Sequence, residues 1–104
     1  MVTRARFAVG QLIRHRQEGY RGVVANVDPQ FRSSPQWYRM MIGGGLAKEL
    51  PRYYVLVDGE EYATYVAESQ LEDDESGGPV RHPHLHRFFD AYRHGHYIYS
   101  KRVN

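Results

Sequence analysis

The chain has 104 residues, a length that suits one domain, with 41% hydrophobic and 13% aromatic residues, nine of them Tyr. It has no Cys, which excludes disulfides and thiolate zinc sites, and no apolar run near the roughly 20 residues of a membrane span. The net charge of +2 hides an asymmetry: residues 1–52 carry nine basic groups against three acidic, residues 53–104 five against nine. Twelve of the fourteen basic side chains are Arg, whose fork suits phosphate and carboxylate, so the basic half admits a polyanion partner. MVTRARF enters strand-like sequence with no signal-peptide core, and the expectation is one cytosolic domain over residues 1–104.

In chain order, Phe7–Gly10 leads into Gln11–Arg16, which reads as a first strand. Arg14 and Arg16 share one face of it, Ile13 and His15 the other, which makes His15 a hydrogen-bonded core histidine. Gln17-Glu18-Gly19 turns the chain, and Tyr20–Asp28 is a second strand in which Gly22 marks a bulge or a close backbone approach. Asp28-Pro29 ends it. Ser34-Pro35 opens a short helix, with Ser as cap and Pro at the first position, and Trp37, Met40 and Met41 recur at helical spacing up to Gly43-Gly44-Gly45. That helix is expected to plug one end of a barrel, with a Met- and Trp-rich lip for a partner as the alternative.

The centre of the fold is Arg52–Glu72. Two β-branched and aromatic runs, Tyr53–Val57 and Glu61–Ala67, flank Asp58-Gly59 and predict a β-hairpin. A two-residue loop pairs Val55 with Tyr62, whereas a loop widened by Glu60 and Glu61 pairs Val57 with Tyr62 and Val55 with Thr64. In either register one face carries Tyr53, Val55, Val57, Tyr62, Thr64 and Val66, and the other Tyr54, Leu56, Ala63, Tyr65 and Ala67. Both faces are largely apolar, so the hairpin is expected to be covered on both sides. Val23, Val55, Val57 and Val66 are expected in a single core. Glu72–Pro79 reads as a solvated acidic loop. His82-Pro83 opens a helix with Leu85, Phe88, Phe89 and Tyr92 facing the core, Gly95 ends it, and His96–Ser100 adds a last strand.

Candidate chemistry is sparse. His82, His84 and His86 form H-P-H-L-H, but on a helix steps of two do not converge on a metal, so no metal or cofactor is expected. There is no Cys nucleophile, no nucleophile elbow and no carboxylate pair in a recognisable setting, and Asp28, Asp58 and Asp90 fall at element ends where turn duty explains them. The chain is expected to be non-enzymatic.

Several stretches together carry a resemblance: Val9-Gly10-Gln11 with Arg14-His15, Gly19–Val24, Asp28-Pro29, Trp37, Pro51 with Tyr53, Val55-Leu56-Val57, Tyr65–Glu68, Leu71-Glu72, His82-Pro83 and Phe89. In this order and spacing they resemble the HspQ / YccV-like hemimethylated-DNA-binding family over most of the chain. Arg52 and Tyr54 stand where members often have Phe and His, and the tail after His82 looks like the longer-tailed branch that includes domains of plastid and F-box proteins. The resemblance implies a small SH3-like β-barrel of about five strands with one or two short helices. It also implies binding of hemimethylated origin DNA, influence on turnover of the initiator DnaA, and enhancement of Lon protease specificity.

Two functions follow as expectations. The first is a DNA-binding regulator contacting phosphates through Arg14, Arg16, Arg21, Arg32 and Arg39. The second is an adaptor that tunes a protease through Trp37, Met41 and Tyr54. No groove-reading helix is visible, so contacts to DNA are expected to be to phosphates.

Overall fold

The computed structural model describes residues 5–28 and 51–100. Trp37, Met41, Arg32, Arg39 and the helix expected after Ser34 lie outside the described residues. Seven strands are present among those described: β1 Leu12–His15, β2 Arg21–Asp28, β3 Arg52–Val57, β4 Ala63–Ala67, β5 Leu71–Asp73, β6 Phe89–Arg93 and β7 His96–Tyr99. The protein is mainly β. Five strands form one antiparallel sheet in the order β4-β3-β2-β1-β5, and β6 and β7 form a second, two-stranded sheet. The end strands β4 and β5 are connected by a single 3₁₀ turn, Glu68–Gln70, without being neighbours in the sheet, so the sheet is not closed into a barrel.

The β3–β4 hairpin takes the wider of its two expected registers. Val55 faces Thr64 and Tyr54 faces Tyr65, and the Val57 N–H donates to the Tyr62 carbonyl at 3.3 Å. Period-two alternation then divides the sheet. One face buries Phe7, Ile13, Val24, Tyr53, Val55, Val66 and Leu71 in a first core. The other buries Leu12, Val23, Ala25 and Leu56 against Val80, Phe89 and Tyr97 in a second. The valines expected in one core are therefore split. Val55 and Val66 belong to the first and Val23 to the second, while Val57 is buried without joining either. Among the described residues the second face of the hairpin is covered at Leu56 and Ala63, whereas Tyr54 and Tyr65 stay exposed.

Gly22 marks a close approach. It lies opposite Val57, and a Cβ there would sit 2.5 Å from the Leu56 carbonyl oxygen and 2.6 Å from Val55 Cγ1. The bulge in β2 comes later, where the register with β3 shifts between Val24 and Asn26.

The tail departs from its expected form. Helix is confined to Leu85–Phe88, and Phe89–Arg93 is strand, paired with β7 across a His94-Gly95 turn. Both turn residues have positive φ, 54° and 78°, as a two-residue turn of type I′ requires. Leu85, Phe88, Phe89 and Tyr92 nevertheless all meet the second core. Tyr97 fixes this layer: its hydroxyl accepts the Val80 N–H at 2.9 Å and donates to the Val80 carbonyl at 3.1 Å, and its ring lies 4.8 Å from Tyr92 and 5.3 Å from Phe89.

Candidate nucleic-acid interface

Arg14 on β1 and Arg21 on β2 are directly opposite each other, so both project from the face that carries the second core. The acidic loop comes to meet them. Asp74 is not solvated: its side chain is fully buried, 3.1 Å from Arg14 Nη2 and 2.8 Å from Arg21 Nε. The Ser76 hydroxyl also donates to it, at 2.8 and 3.0 Å to its two oxygens. Burial raises the carboxyl pKa, but the hydrogen bonds from Ser76, Arg21 and Arg14 outweigh it and the net shift is downward from 3.8.

Arg21 is the most fully engaged of these arginines. Besides Asp74, its guanidinium reaches Asp58 at 3.4 Å, the Pro79 carbonyl at 3.4 Å and the Gly78 carbonyl. It thereby ties the β3–β4 turn and the 74–79 loop to the start of β2, and its side chain is only 22% exposed. Arg14 and Arg16 differ, at 43% and 47% exposed. Arg16 donates Nε–H to the Leu71 carbonyl at 3.0 Å and stands 3.7 Å from an exposed Glu72. Such an exposed pair contributes little and exchanges readily for another anion. The structure thus brings Arg14, Arg16 and Arg21 to one end of the sheet, two of them half-open to solvent and the third engaged by protein.

His15 supports the turn beneath this end. It is buried, and its Nδ1 accepts the Gln17 and Glu18 N–H groups at 3.2 and 3.0 Å, as a hydrogen-bonded core histidine would. In the H-P-H-L-H segment both ring nitrogens of His82 are engaged. Nε2–H donates to the Tyr62 carbonyl at 2.9 Å and Nδ1 accepts the His84 N–H at 3.1 Å, so His82 clips the tail to the hairpin.

At the other end of the same face stands the site that sequence reasoning resolved least. Asn26, Tyr54 and Tyr65 are directly opposite one another across β2, β3 and β4. Tyr54 and Tyr65 are each 44% exposed. The signal was in the sequence, since Tyr54 and Tyr65 alternate on one face of the hairpin. The bulge before Asn26, which sets the third member of the row, left no readable mark.

A family model described as hemimethylated DNA-binding protein YccV like matches residues 5–96. The chain belongs to the YccV-like family. The match runs from the N-terminal segment that gives Phe7 to the first core to the first residue of β7, and so takes in the five-stranded sheet, β6 and both ends of the arginine–tyrosine face. No helix among the described residues is long and apolar enough to cross a membrane.

Proposed function

We propose that this chain is a non-enzymatic DNA-binding regulator that holds duplex DNA by its phosphates at the Arg14/Arg16 end of the sheet. The observation that carries this reading is membership of a family described as hemimethylated DNA-binding. The geometry supports a division of labour. Arg14 and Arg16, half-exposed, contact phosphate; Arg32 and Arg39, outside the described residues, enter the proposal from the sequence alone. Arg21 acts behind them, holding the Asp74 loop so that Arg14 keeps its place. Contacts of this kind give affinity and register without reading sequence.

A second reading, an adaptor that modulates proteolysis, draws on the carboxylates beside these arginines and on the exposed Tyr54, which suit a protein partner as well. Salt separates the two. Each phosphate neutralised adds about −0.9 to the slope of log K against log salt, and each lost arginine contact reduces its magnitude by about one unit. Fluorescence anisotropy with a labelled duplex, hemimethylated or unmethylated, measures this for wild type and Arg14→Ala/Arg16→Ala. The proposal expects binding at low salt and a slope flatter by about two in the double variant. Absent binding, or equal slopes, favours the adaptor.

A further inference from the structure

Between Asn26, Val27, Asp28, Tyr54 and Tyr65 lies an open cup of about 290 Å³ on the exposed end of the β2–β3–β4 face. Its Tyr65 side is ordered by its own contacts. The Tyr65 hydroxyl donates to Asp28, and the Arg52 guanidinium carbon sits 5.6 Å from the Tyr65 ring centroid. Tyr54 lies directly across from Tyr65, and Arg52, two residues before it, shares its face. Asn26 Oδ1 accepts the Val27 N–H at 2.9 Å, which turns the amide nitrogen into the group available as a donor.

We infer that this cup is a nucleobase-stacking site: it takes one unpaired or extrahelical base against Tyr54 and Tyr65, with the Asn26 amide on the base edge. The inference rests on the DNA reading proposed above and extends it to a second contact. A tyrosine pair on an open sheet face offers flat, amphipathic area that any base can cover, and a ring already held in place loses little freedom when a base stacks on it. A base edge is rich in acceptors, which the Asn26 donor matches. Asn26 is five residues along β2 from Arg21, roughly 17 Å at about 3.3 Å per residue. A strand held by its phosphates near Arg14 and Arg16 therefore has a neighbouring base platform on the same face, beyond the tail that covers the middle.

The test compares two labelled single strands of equal length, one mixed-sequence and one built of abasic sugar-phosphate units, on wild type, Tyr54→Ala, Tyr54→Phe and Arg14→Ala/Arg16→Ala. The inference expects wild type to prefer the base-bearing strand. Tyr54→Ala should weaken that strand roughly ten-fold and leave the abasic strand unchanged, while Tyr54→Phe, which keeps the ring, binds like wild type. Loss of Arg14 and Arg16 should weaken both strands alike. Equal wild-type affinity for the two strands, with the arginine effect intact, overturns the base site and leaves the phosphate reading standing. An unchanged or equally weakened Tyr54→Ala also overturns it. Absence of binding to either strand overturns the base site, while the duplex titration described above decides the phosphate reading separately.

Discussion

Asp74 shows how a single residue can decide what its neighbours are free to do. A carboxylate with no exposed side-chain surface is tolerated because Ser76, Arg21 and Arg14 surround it, and removing a partner exposes the full cost of a buried charge. Arg21→Ala is expected to destabilise the fold by about 3 kcal/mol, at the lower end for breaking a buried pair because Arg14 and Ser76 remain. The same change moves the acid limb. In the native chain the Asp74 pKa is depressed below 3.8, so its stabilisation is present above that pH and is lost as pH falls through the lowered value. Without Arg21 the depression shrinks, and acid unfolding should begin at higher pH than in wild type. Urea titrations at pH 7 and across the acid range measure both effects. A variant as stable as wild type at pH 7 would show that Arg21 is not the clasp described here. Nothing in the string Glu72–Gly78 distinguished Asp74 from its acidic neighbours, because its burial depends on which way a loop folds.

Among the elements, the β3–β4 hairpin was the most legible. Parity alone set which residues share a face, and only loop length was open; the structure resolves it as Val55 opposite Thr64. Val55 is fully buried in the first core, so Val55→Ala should cost about 1–3 kcal/mol, read as a lowered urea midpoint with unchanged m-value. Tyr62→Ala, at an exposed position just before β4, should stay within about 0.5 kcal/mol of wild type. The reverse ranking would contradict the register. The tail was legible in a different sense. Leu85, Phe88, Phe89 and Tyr92 do face one core, yet the spacing that suggested a helix arises from one short turn followed by a strand. The pairing of β6 with β7 shifts between Phe89 and Ala91, and this irregularity turns a strict period of two into a spacing that mimics a helical stripe. Gly95, read as a helix stop, is instead the second residue of the hairpin turn, where it and His94 both have positive φ.

Across the whole molecule, the two halves of opposite charge do not remain two surfaces. The sheet order sets β5 beside β1, and the acidic side chains of Glu72 and Asp74 meet Arg14, Arg16 and Arg21, so the basic excess legible in residues 1–52 is partly neutralised where it was expected to face a polyanion. A second long-range tie joins the N-terminal segment to the sheet and shapes stability at high pH. The Tyr53 hydroxyl accepts the Phe7 N–H at 3.3 Å and donates to Glu68 Oε1 at 2.6 Å, and Glu68 Oε1 also accepts the Arg6 N–H at 2.8 Å. The Phe7 ring lies edge-on to Tyr53 at 5.5 Å. Burial, then the hydrogen bond to Glu68, pushes the Tyr53 pKa up from 10.0 to about 12. Between pH 10 and 12 the unfolded chain has therefore released a proton that the folded chain still holds. Fewer bound protons in the unfolded state make stability fall as pH rises, so the contribution of Tyr53 is complete below pH 10 and is lost through about pH 12. Tyr53→Phe keeps the ring in the core and removes the ionisable group. It should lower stability at neutral pH through loss of the two hydrogen bonds, by about 1–3 kcal/mol, and flatten the alkaline limb. Thermal melts from pH 8 to 12 on both proteins test this. Parallel alkaline limbs for Tyr53→Phe and wild type would show that the tie between the N-terminal segment, β3 and the 3₁₀ turn does not govern the upper end of the pH range.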